Sequence, residues 1–292
     1  MTERIPGLEG LVPDGVQARK VATGATWSEG PVWVPERAGL IWSDIPGNRI
    51  LEYTPATGET TVYRGEVEFT NGRTLDHDGS IVQCSHGRRR LERDRGGEIT
   101  SIVDGFDGHR LNSPNDVVVA DDGVIWFTDP DYGITQPAEG HPGEHEYGAC
   151  WVFRYDPAAD DLVPVVTDMV EPNGLAFSPD ESLLYVSDTS EARHIRVYDV
   201  VDGMPANGRV FAEIERGAPD GFRVDEHGNV WTSSLDAVII YAPDGTRRGE
   251  IPIPEKVANL CFGGPDGTEL YIAATSSIYW IPTLTKDAAG RP

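Results

Sequence analysis

One unit recurs six times along the 292-residue chain, and this repetition constrains the fold more than any other feature of the sequence. Each unit opens with an acidic or amide residue, usually followed by glycine, and continues with an apolar strand, a turn and a second strand. We call the opening residues the anchors; they are Glu29, Asn71, Asn115, Asn173, Asp220 and Asn259. Their spacings of 42, 44, 58, 47 and 39 residues are close to the period of a propeller blade.

The units also share an internal order of turns and strands. Turn signals such as DHDG, ADDG and GPDG separate the first two strands, and their Asp, Pro and Gly residues favour tight hairpin turns. A third strand of alternating character follows, as in NRILEYTP and CWVFRYDP, and a fourth leads outward. The sequence therefore predicts an all-β protein, a six-bladed β-propeller with four-stranded blades and little helix.

The last unit is one strand short. It ends after three strands, near IYWIP at 278–282, while a strand-like segment at 15–24 precedes the first anchor. We expect this N-terminal strand to pair into the last blade, because such closure removes open sheet edges. The predicted organisation is an N-terminal tail at 1–14, a single propeller domain at 15–283 and a C-terminal tail at 284–292.

Charge and composition limit the partners. A formal net charge of −24 repels phosphate backbones and anionic lipids, so neither nucleic acid nor membrane is an expected partner. No signal-peptide pattern or transmembrane-length apolar run is found, which predicts a cytoplasmic protein, either a monomer or a small homo-oligomer. Cys84, Cys150 and Cys261 form no CxxC pair and are expected to be buried free thiols.

The anchors are the candidate functional residues. The first strand of each blade lines the axis of a propeller, so the six anchors are expected to form one ring of oxygen-bearing side chains. Two carboxylates in a partly desolvated ring repel each other, and a divalent cation relieves that repulsion. Oxygen ligands without His or Cys favour Ca²⁺, with Mg²⁺, Mn²⁺, Zn²⁺ and Fe²⁺ as alternatives. Any single anchor could instead be a turn residue, and periodicity does not choose which anchors bind metal.

Six motifs carry a resemblance to a known family. They are WSEGPVW at 27–33, TNGRTLD at 70–76, LNSPNDVVV at 111–119, WFTDPDYG at 126–133, PNGLAFSPD at 172–180 and PDGFRVD at 219–225. In this order they resemble the senescence-marker-protein and gluconolactonase-like (regucalcin-like) family of metal-dependent six-bladed propellers. The resemblance implies metal ligands at Glu29, Asn173 and Asp220, with Asn115 as a fourth ligand or a substrate contact. Where one animal branch of the family has a substrate-binding Arg, this chain has Ser113.

The resemblance also implies an activity, the hydrolysis of sugar lactones such as aldonolactones. A divalent ion would polarise the ester carbonyl while a carboxylate takes a proton from water. We assign that role to Asp220, as ligand and general base together, and treat Glu29 as the second catalytic carboxylate, mainly a ligand. The small lactone would contact Asn115 and a set of further predicted substrate-binding residues: Arg73, His86, Arg88, Asp129 and Tyr132.

Two of these residues have simpler interpretations. His86 could be a surface histidine, and Arg73 could do no more than neutralise the carboxylates. The insertion at 133–148 is a candidate lid, and a second metal site at its His141 and His145 is less favoured than a solvated acidic loop.

Two other functions stay open. One is organophosphate or aryl-ester hydrolysis at the same ion, and the other is a non-enzymatic, calcium-stabilised scaffold. No GxSxG motif occurs, which disfavours a serine-hydrolase mechanism.

Overall fold

The computed structural model of the chain describes residues 6–290, which form six four-stranded antiparallel sheets around one axis. The first strand in the chain is β1 (Arg19–Thr23). Blade 1 follows with β2 (Ser28–Val34), β3 (Gly39–Asp44), β4 (Arg49–Thr54) and β5 (Glu59–Gly65). Blade 2 contains β6 (Thr70–Leu75), β7 (Ile81–Ser85), β8 (Arg90–Arg95) and β9 (Glu98–Val103).

A short hairpin, β10 (Gly105–Phe106) with β11 (His109–Arg110), precedes blade 3. Blade 3 contains β12 (Val117–Val119), β13 (Ile125–Asp129), β14 (Trp151–Asp156) and β15 (Asp161–Val166). Blade 4 contains β16 (Pro172–Phe177), β17 (Leu183–Asp188), β18 (His194–Val201) and β19 (Met204–Glu213). Blade 5 contains β20 (Phe222–Val224), β21 (Val230–Ser233), β22 (Ala237–Tyr241) and β23 (Arg247–Pro252). Blade 6 starts with β24 (Val257–Gly263), β25 (Glu269–Ala274) and β26 (Ser277–Pro282).

Helix is almost absent, as predicted. The described residues contain a 3-10 turn at Pro35–Arg37 and one short helix, α1 (Tyr132–Thr135), which begins the insertion in blade 3. None of the helices within residues 6–290 has the length and apolar character needed to cross a membrane.

The N-terminal strand closes the ring. Strand β1 pairs antiparallel with β26, with Arg19 opposite Trp280, and supplies the outermost strand of blade 6. Glu255 reinforces this seam, because it accepts hydrogen bonds from Lys20 Nζ (2.7 Å) and Tyr279 Oη (2.8 Å). The prediction of a six-bladed propeller closed by an N-terminal strand is therefore confirmed.

The described residues of both predicted tails pack against the propeller. Leu8 and Leu11 are buried in the apolar core between blades 5 and 6, and the Leu284 amide donates to the Leu11 carbonyl (2.8 Å). Further along, the Ala288 amide donates to the carbonyl of Val224 (2.9 Å). The N-terminal segment is thus held by buried leucines, and the C-terminal segment is held by backbone hydrogen bonds and by Ala288 against an apolar cluster.

Apolar packing lies between the blades. Each pair of adjacent blades shares one cluster of buried side chains, such as Val82 and Leu91 of blade 2 against Val117 and Phe127 of blade 3. Burial stabilises such contacts by roughly 25 cal/mol per Å² of apolar surface. The resulting frame fixes the first strands around the axis.

Glycines after the anchors let neighbouring first strands meet. A Cβ on Gly72 would lie 2.4 Å from the Asn115 carbonyl oxygen, and one on Gly174 would lie 2.6 Å from the Asp220 carbonyl oxygen. The Gly72 amide instead donates to the Asn115 carbonyl at 2.8 Å. The recurring pair of a polar residue and glycine is thus explained by close backbone approach at the axis.

Candidate active site

A cavity of about 270 Å³ opens at the end of the axis where the first strands begin. Five of the six anchors line it, and the insertion supplies part of its wall. The lining residues are Trp27, Glu29, Asn71, Asn115, Tyr132, Gln136, Glu139, Asn173, Thr189, Ala218, Asp220 and Lys256. The structure therefore brings the four predicted metal ligands together in one cavity.

Two carboxylates face each other in this cavity. Burial raises the pKa of Glu29 well above its usual range, and the nearby charge of Asp220 raises it further. Burial also raises the pKa of Asp220 to about 7, although the positive charge of Lys256 acts in the opposite direction. Such repulsion among oxygen donors is the condition that a bound divalent cation relieves.

The second-blade anchor, Asn71, is oriented by His86. His86 is fully buried, so it is not the surface histidine that the sequence left open. Its Nδ1 lies 3.0 Å from the Glu139 carbonyl oxygen and must donate there, while burial lowers the pKa of the ring to about 4 and keeps it neutral. Nε2 is then an acceptor for Asn71 Nδ2 at 3.3 Å.

This chain of hydrogen bonds decides which way the Asn71 amide faces. Its Oδ1 is buried and has no hydrogen-bond partner among residues 6–290. A buried acceptor without a partner is destabilising unless a ligand satisfies it. Asn71 thus presents an oxygen for a cation or a substrate hydroxyl, and His86 is a positioning residue one step behind the cavity wall.

The sixth anchor has a different role. Asn259 does not line the cavity; its Nδ2 donates to Glu29 Oε2 (3.3 Å), and its Oδ1 accepts from the Leu260 amide (2.8 Å). The Gly30 amide donates to the same Glu29 oxygen at 2.8 Å. Asn259 therefore holds Glu29 in place, although it fits the repeat as well as the other anchors do.

Arg73 and Arg88, both predicted to bind substrate, are not among the residues that line the cavity. Arg73 is fully buried deeper in the channel, where Nη1 donates to the Gly30 carbonyl (2.6 Å) and Nη2 to Ser43 Oγ (2.5 Å). Arg88 lies at the side of blade 2 and pairs with Glu92 at 3.3 Å. Both guanidinium groups are used by the fold.

Asp129, another predicted substrate-binding residue, is also not among the residues that line the cavity. Its carboxylate is fully buried and accepts from the amides of Asn112 (2.7 Å) and Ser113 (2.8 Å), and from the Tyr147 hydroxyl. These contacts fix the loop that leads into Asn115.

The insertion lies beside the cavity, and the two histidines of the insertion contact different residues. Tyr132, at the start of α1, lines the cavity and hydrogen-bonds Thr189 through its hydroxyl. His141 pairs with Glu68 and His145 pairs with Asp131, each at 2.9 Å. The two histidines therefore have different partners.

Several residues of the cavity wall were not predicted from the sequence; Lys256 and Trp27 are two of them, beside Thr189 and Ala218. Lys256 is the one Lys or Arg among the described lining residues, and its Nζ lies 4.9 Å from the Trp27 ring centroid. Both precede an anchor by two or three residues, in the loops that enter the first strands. That position was the available signal, because these loops lie on the same face as the anchors.

A second cavity of about 180 Å³ lies at the opposite end of the channel. Its walls are mainly apolar side chains from the far ends of the first strands, including Trp33, Phe177 and Phe262. Ala288 of the C-terminal segment lines it as well. No anchor lies there.

Comparison with known proteins places the chain among sugar-lactone hydrolases. Residues 27–276 match the family model described as the SMP-30/Gluconolactonase/LRE-like region. The chain is 32% identical to a gluconolactonase from Zymomonas mobilis, covering 98% of this chain and 86% of that protein. It is also 32% identical to a pentonolactonase from Haloferax volcanii, covering 87% and 83%. The solved structure of a Xanthomonas campestris gluconolactonase superposes with a TM-score of 0.90 at 38% identity, covering 96% and 94%.

Proposed function

The chain belongs to the SMP-30/gluconolactonase/LRE-like family, and we propose that it hydrolyses sugar lactones at the mouth of its axial channel. In this reaction water adds to the lactone carbonyl carbon, the ring ester C–O bond breaks, and the ring oxygen takes a proton. The product is an open-chain hydroxy acid. The convergence of Glu29, Asp220 and the amide anchors on one cavity is the main support for this function.

A divalent cation fits this site. Glu29, Asn115, Asn173 and Asp220 would hold it, and Asn71 Oδ1 is a buried oxygen beside them that lacks a partner among the described residues. The absence of His and Cys from this donor set favours calcium over zinc or iron, with magnesium and manganese between them. When bound, the cation supplies Lewis-acid polarisation of the ester carbonyl.

Asp220 is the general base in this proposal. Its carboxylate is partly exposed to the cavity, where it can accept a proton from the attacking water and return it to the ring oxygen. Glu29 cannot swing freely because Gly30 and Asn259 both donate to its Oε2, so it acts as a fixed negative charge beside the base.

The remaining wall residues suit a polyhydroxylated ring. Asn71, Asn115 and Tyr132 offer amide and hydroxyl groups that hydrogen-bond sugar hydroxyls, and Trp27 offers an apolar face. Lys256 is placed to attract the carboxylate that forms when the ring opens. The net charge of −24 disfavours nucleic acid and anionic membranes as partners, and we propose a cytoplasmic protein that acts as a monomer or small homo-oligomer.

The test is acid release from glucono-1,5-lactone and from pentonolactones, measured in a pH-stat and corrected for spontaneous opening. We expect hydrolysis that chelation abolishes, that added Ca²⁺ restores, and that Asp220→Ala and Asn173→Ala each remove. His141→Gln, outside the cavity, is the matched control and should keep full activity. Rates that survive chelation would overturn the metal-dependent mechanism. Turnover of an aryl ester or organophosphate without lactone turnover would assign a different hydrolase activity to the same cavity.

A further inference from the structure

Three unlike donor groups converge outside the axial cavity. Asp131, His145 and Cys150 place a carboxylate oxygen, an imidazole nitrogen and a thiol sulfur within 4.8 Å of one another. Asp131 precedes α1, His145 lies in the insertion, and Cys150 directly precedes β14. The three groups are distant enough in sequence that only the fold brings them together.

The spacing of these donors is close to what one metal ion requires. Zinc binds nitrogen and oxygen at about 2.0 Å and sulfur at about 2.3 Å, so donors around it lie roughly 3 to 4 Å apart. His145 Nε2 and Asp131 Oδ2 are 2.9 Å apart and hydrogen-bonded, and the thiol lies within the same 4.8 Å limit. Shifts of about 1 Å or less would therefore accommodate an ion.

A further carboxylate adds negative charge near this group. Glu171 Oε2 is buried and has no hydrogen-bond partner among the described residues. Its charge acts on Cys150, and the charge of Asp131 acts on Glu171. Glu171 itself is not one of the donors that lie within 4.8 Å of one another.

The neighbourhood lacks compensating charge. Within residues 6–290, neither Asp131 nor Glu171 has a Lys or Arg as an ion-pair partner; Asp131 pairs with His145 alone. The His145 and Asp131 side chains are 36% and 20% exposed, so the cluster is open to solvent on one side. A cation could reach the cluster and would neutralise it.

We propose that Asp131, His145 and Cys150 form a second metal site, distinct from the axial one, that binds a divalent transition metal of the zinc type. A water molecule completes the coordination. The mixed sulfur, nitrogen and oxygen donors select zinc over calcium, the reverse of the all-oxygen axial site. Binding releases the Cys150 thiol proton to solvent and leaves a thiolate ligand.

Such an ion would fix the insertion in place. Asp131 lies just before the insertion, His145 lies within it, and Cys150 lies just after it, directly before β14 in blade 3. The same insertion places Gln136 and Glu139 in the wall of the axial cavity. The second site is therefore a cross-link that orders one wall of the cavity, and it does not depend on which reaction the cavity performs.

Cobalt titration of the metal-free protein tests the site. We expect one equivalent of Co²⁺ to give the near-ultraviolet charge-transfer absorption of a cobalt–thiolate bond, which the all-oxygen axial site cannot produce. Cys150→Ser should abolish this absorption, and His145→Gln should weaken cobalt binding there at least tenfold. Cys261→Ser and His141→Gln are the matched controls. They should leave the thiolate absorption and the cobalt affinity unchanged.

The same titration can refute the proposed second metal site. Wild-type protein without the thiolate absorption, or Cys150→Ser with the absorption intact, would each refute it. If Cys150→Ser does not fold, the half-exposed His145→Gln decides, and unchanged cobalt affinity in that variant refutes the site. Asp220→Ala separates the two proposals, because it should lose lactone hydrolysis and keep the thiolate absorption.

Discussion

The two ends of the axial channel are built by the same six first strands, yet their chemistry is opposite. At the mouth, Glu29 and Asp220 repel each other among amide oxygens in a cavity of about 270 Å³. At the far end, Trp33 and Phe262 line a cavity of about 180 Å³ against the C-terminal segment. The repeat thus determines where side chains point, while depth along the strand determines whether a position serves chemistry or stability.

Polar groups lie below the anchors, and two of them, Arg73 and Arg223, reach the wall of the far cavity. Arg73 donates to the backbone of blade 1, and Arg223 Nη1 lies 3.6 Å from Asp116 Oδ2 of blade 3. Arg73 and Asp116 are buried, and Arg223 is partly buried. We expect substitutions at the mouth to affect catalysis and those among these polar groups to affect stability.

The largest effect is expected at the mouth. Asp220→Ala should lower kcat/KM for lactone hydrolysis by about 10³-fold or more, because the general base is lost. The free energy of unfolding of the metal-free protein should not fall, since a repulsive carboxylate next to Glu29 is removed. Asp121→Asn, in the wall of the far cavity, is the matched control for both measurements. A loss of kcat/KM in Asp121→Asn equal to that in Asp220→Ala would contradict the assignment of catalysis to the mouth of the channel.

At Arg73 we expect the opposite result, a loss of stability without a loss of substrate affinity. Arg73→Ala should lower the free energy of unfolding by about 2 to 4 kcal/mol, because it leaves the Gly30 carbonyl and the Ser43 hydroxyl without their donor. Urea denaturation measures this loss, and steady-state kinetics on the folded fraction should give a KM within about twofold of wild type. A raised KM with undiminished stability would instead make Arg73 the substrate contact that its sequence position suggested.

An intermediate effect is expected at His86, which does not line the cavity but contacts Asn71 in its wall. His86→Ala should lower kcat/KM about tenfold, because the Asn71 amide loses the acceptor that orients it. His86→Gln should restore part of the activity, since a glutamine amide can both donate to the Glu139 carbonyl and accept from Asn71. Equal losses in the two variants, with unchanged melting temperatures, would rule out the positioning role.

The smallest effect is expected at the ring closure, away from both ends. Burial raises the pKa of Glu255, but hydrogen bonds from Lys20, Ser276, Ser277 and Tyr279 outweigh it and lower the value from 4.5 to about 2. The stabilisation is complete above pH 4.5 and is lost as the pH falls towards 2.

Glu255→Gln should therefore cost about 1 kcal/mol of unfolding free energy at neutral pH, and the difference from wild type should shrink at low pH. Urea unfolding at pH 7 and pH 3 measures both values. A difference that grows on acidification would contradict this assignment.

The sequence predicted the fold and the ring of anchors because both depend on local patterns. Strand alternation, hairpin turns and the glycine after an anchor each act within a few residues, so they repeat visibly. Asn71 and Asn259 look alike in that pattern and differ only in their partners, His86 and Glu29. Alternation along β6 places Arg73 on the same side of the strand as Asn71, but it does not determine how deep in the channel the guanidinium lies. Such differences arise from contacts between blades, which a single sequence does not display.

The pairing of β1 with β26 has a consequence for how the protein folds during synthesis. Its register joins Arg19 to Trp280, so the circle cannot be completed until residue 280 has left the ribosome. The cavity needs Glu29 from the first blade and Asp220 from the fifth, which come together around the axis only in a complete circle. Contacts so distant in sequence form slowly, because their loop-closure entropy must be overcome first. A nascent or truncated chain would therefore lack the complete cavity, and formation of the cavity belongs to the last stage of folding.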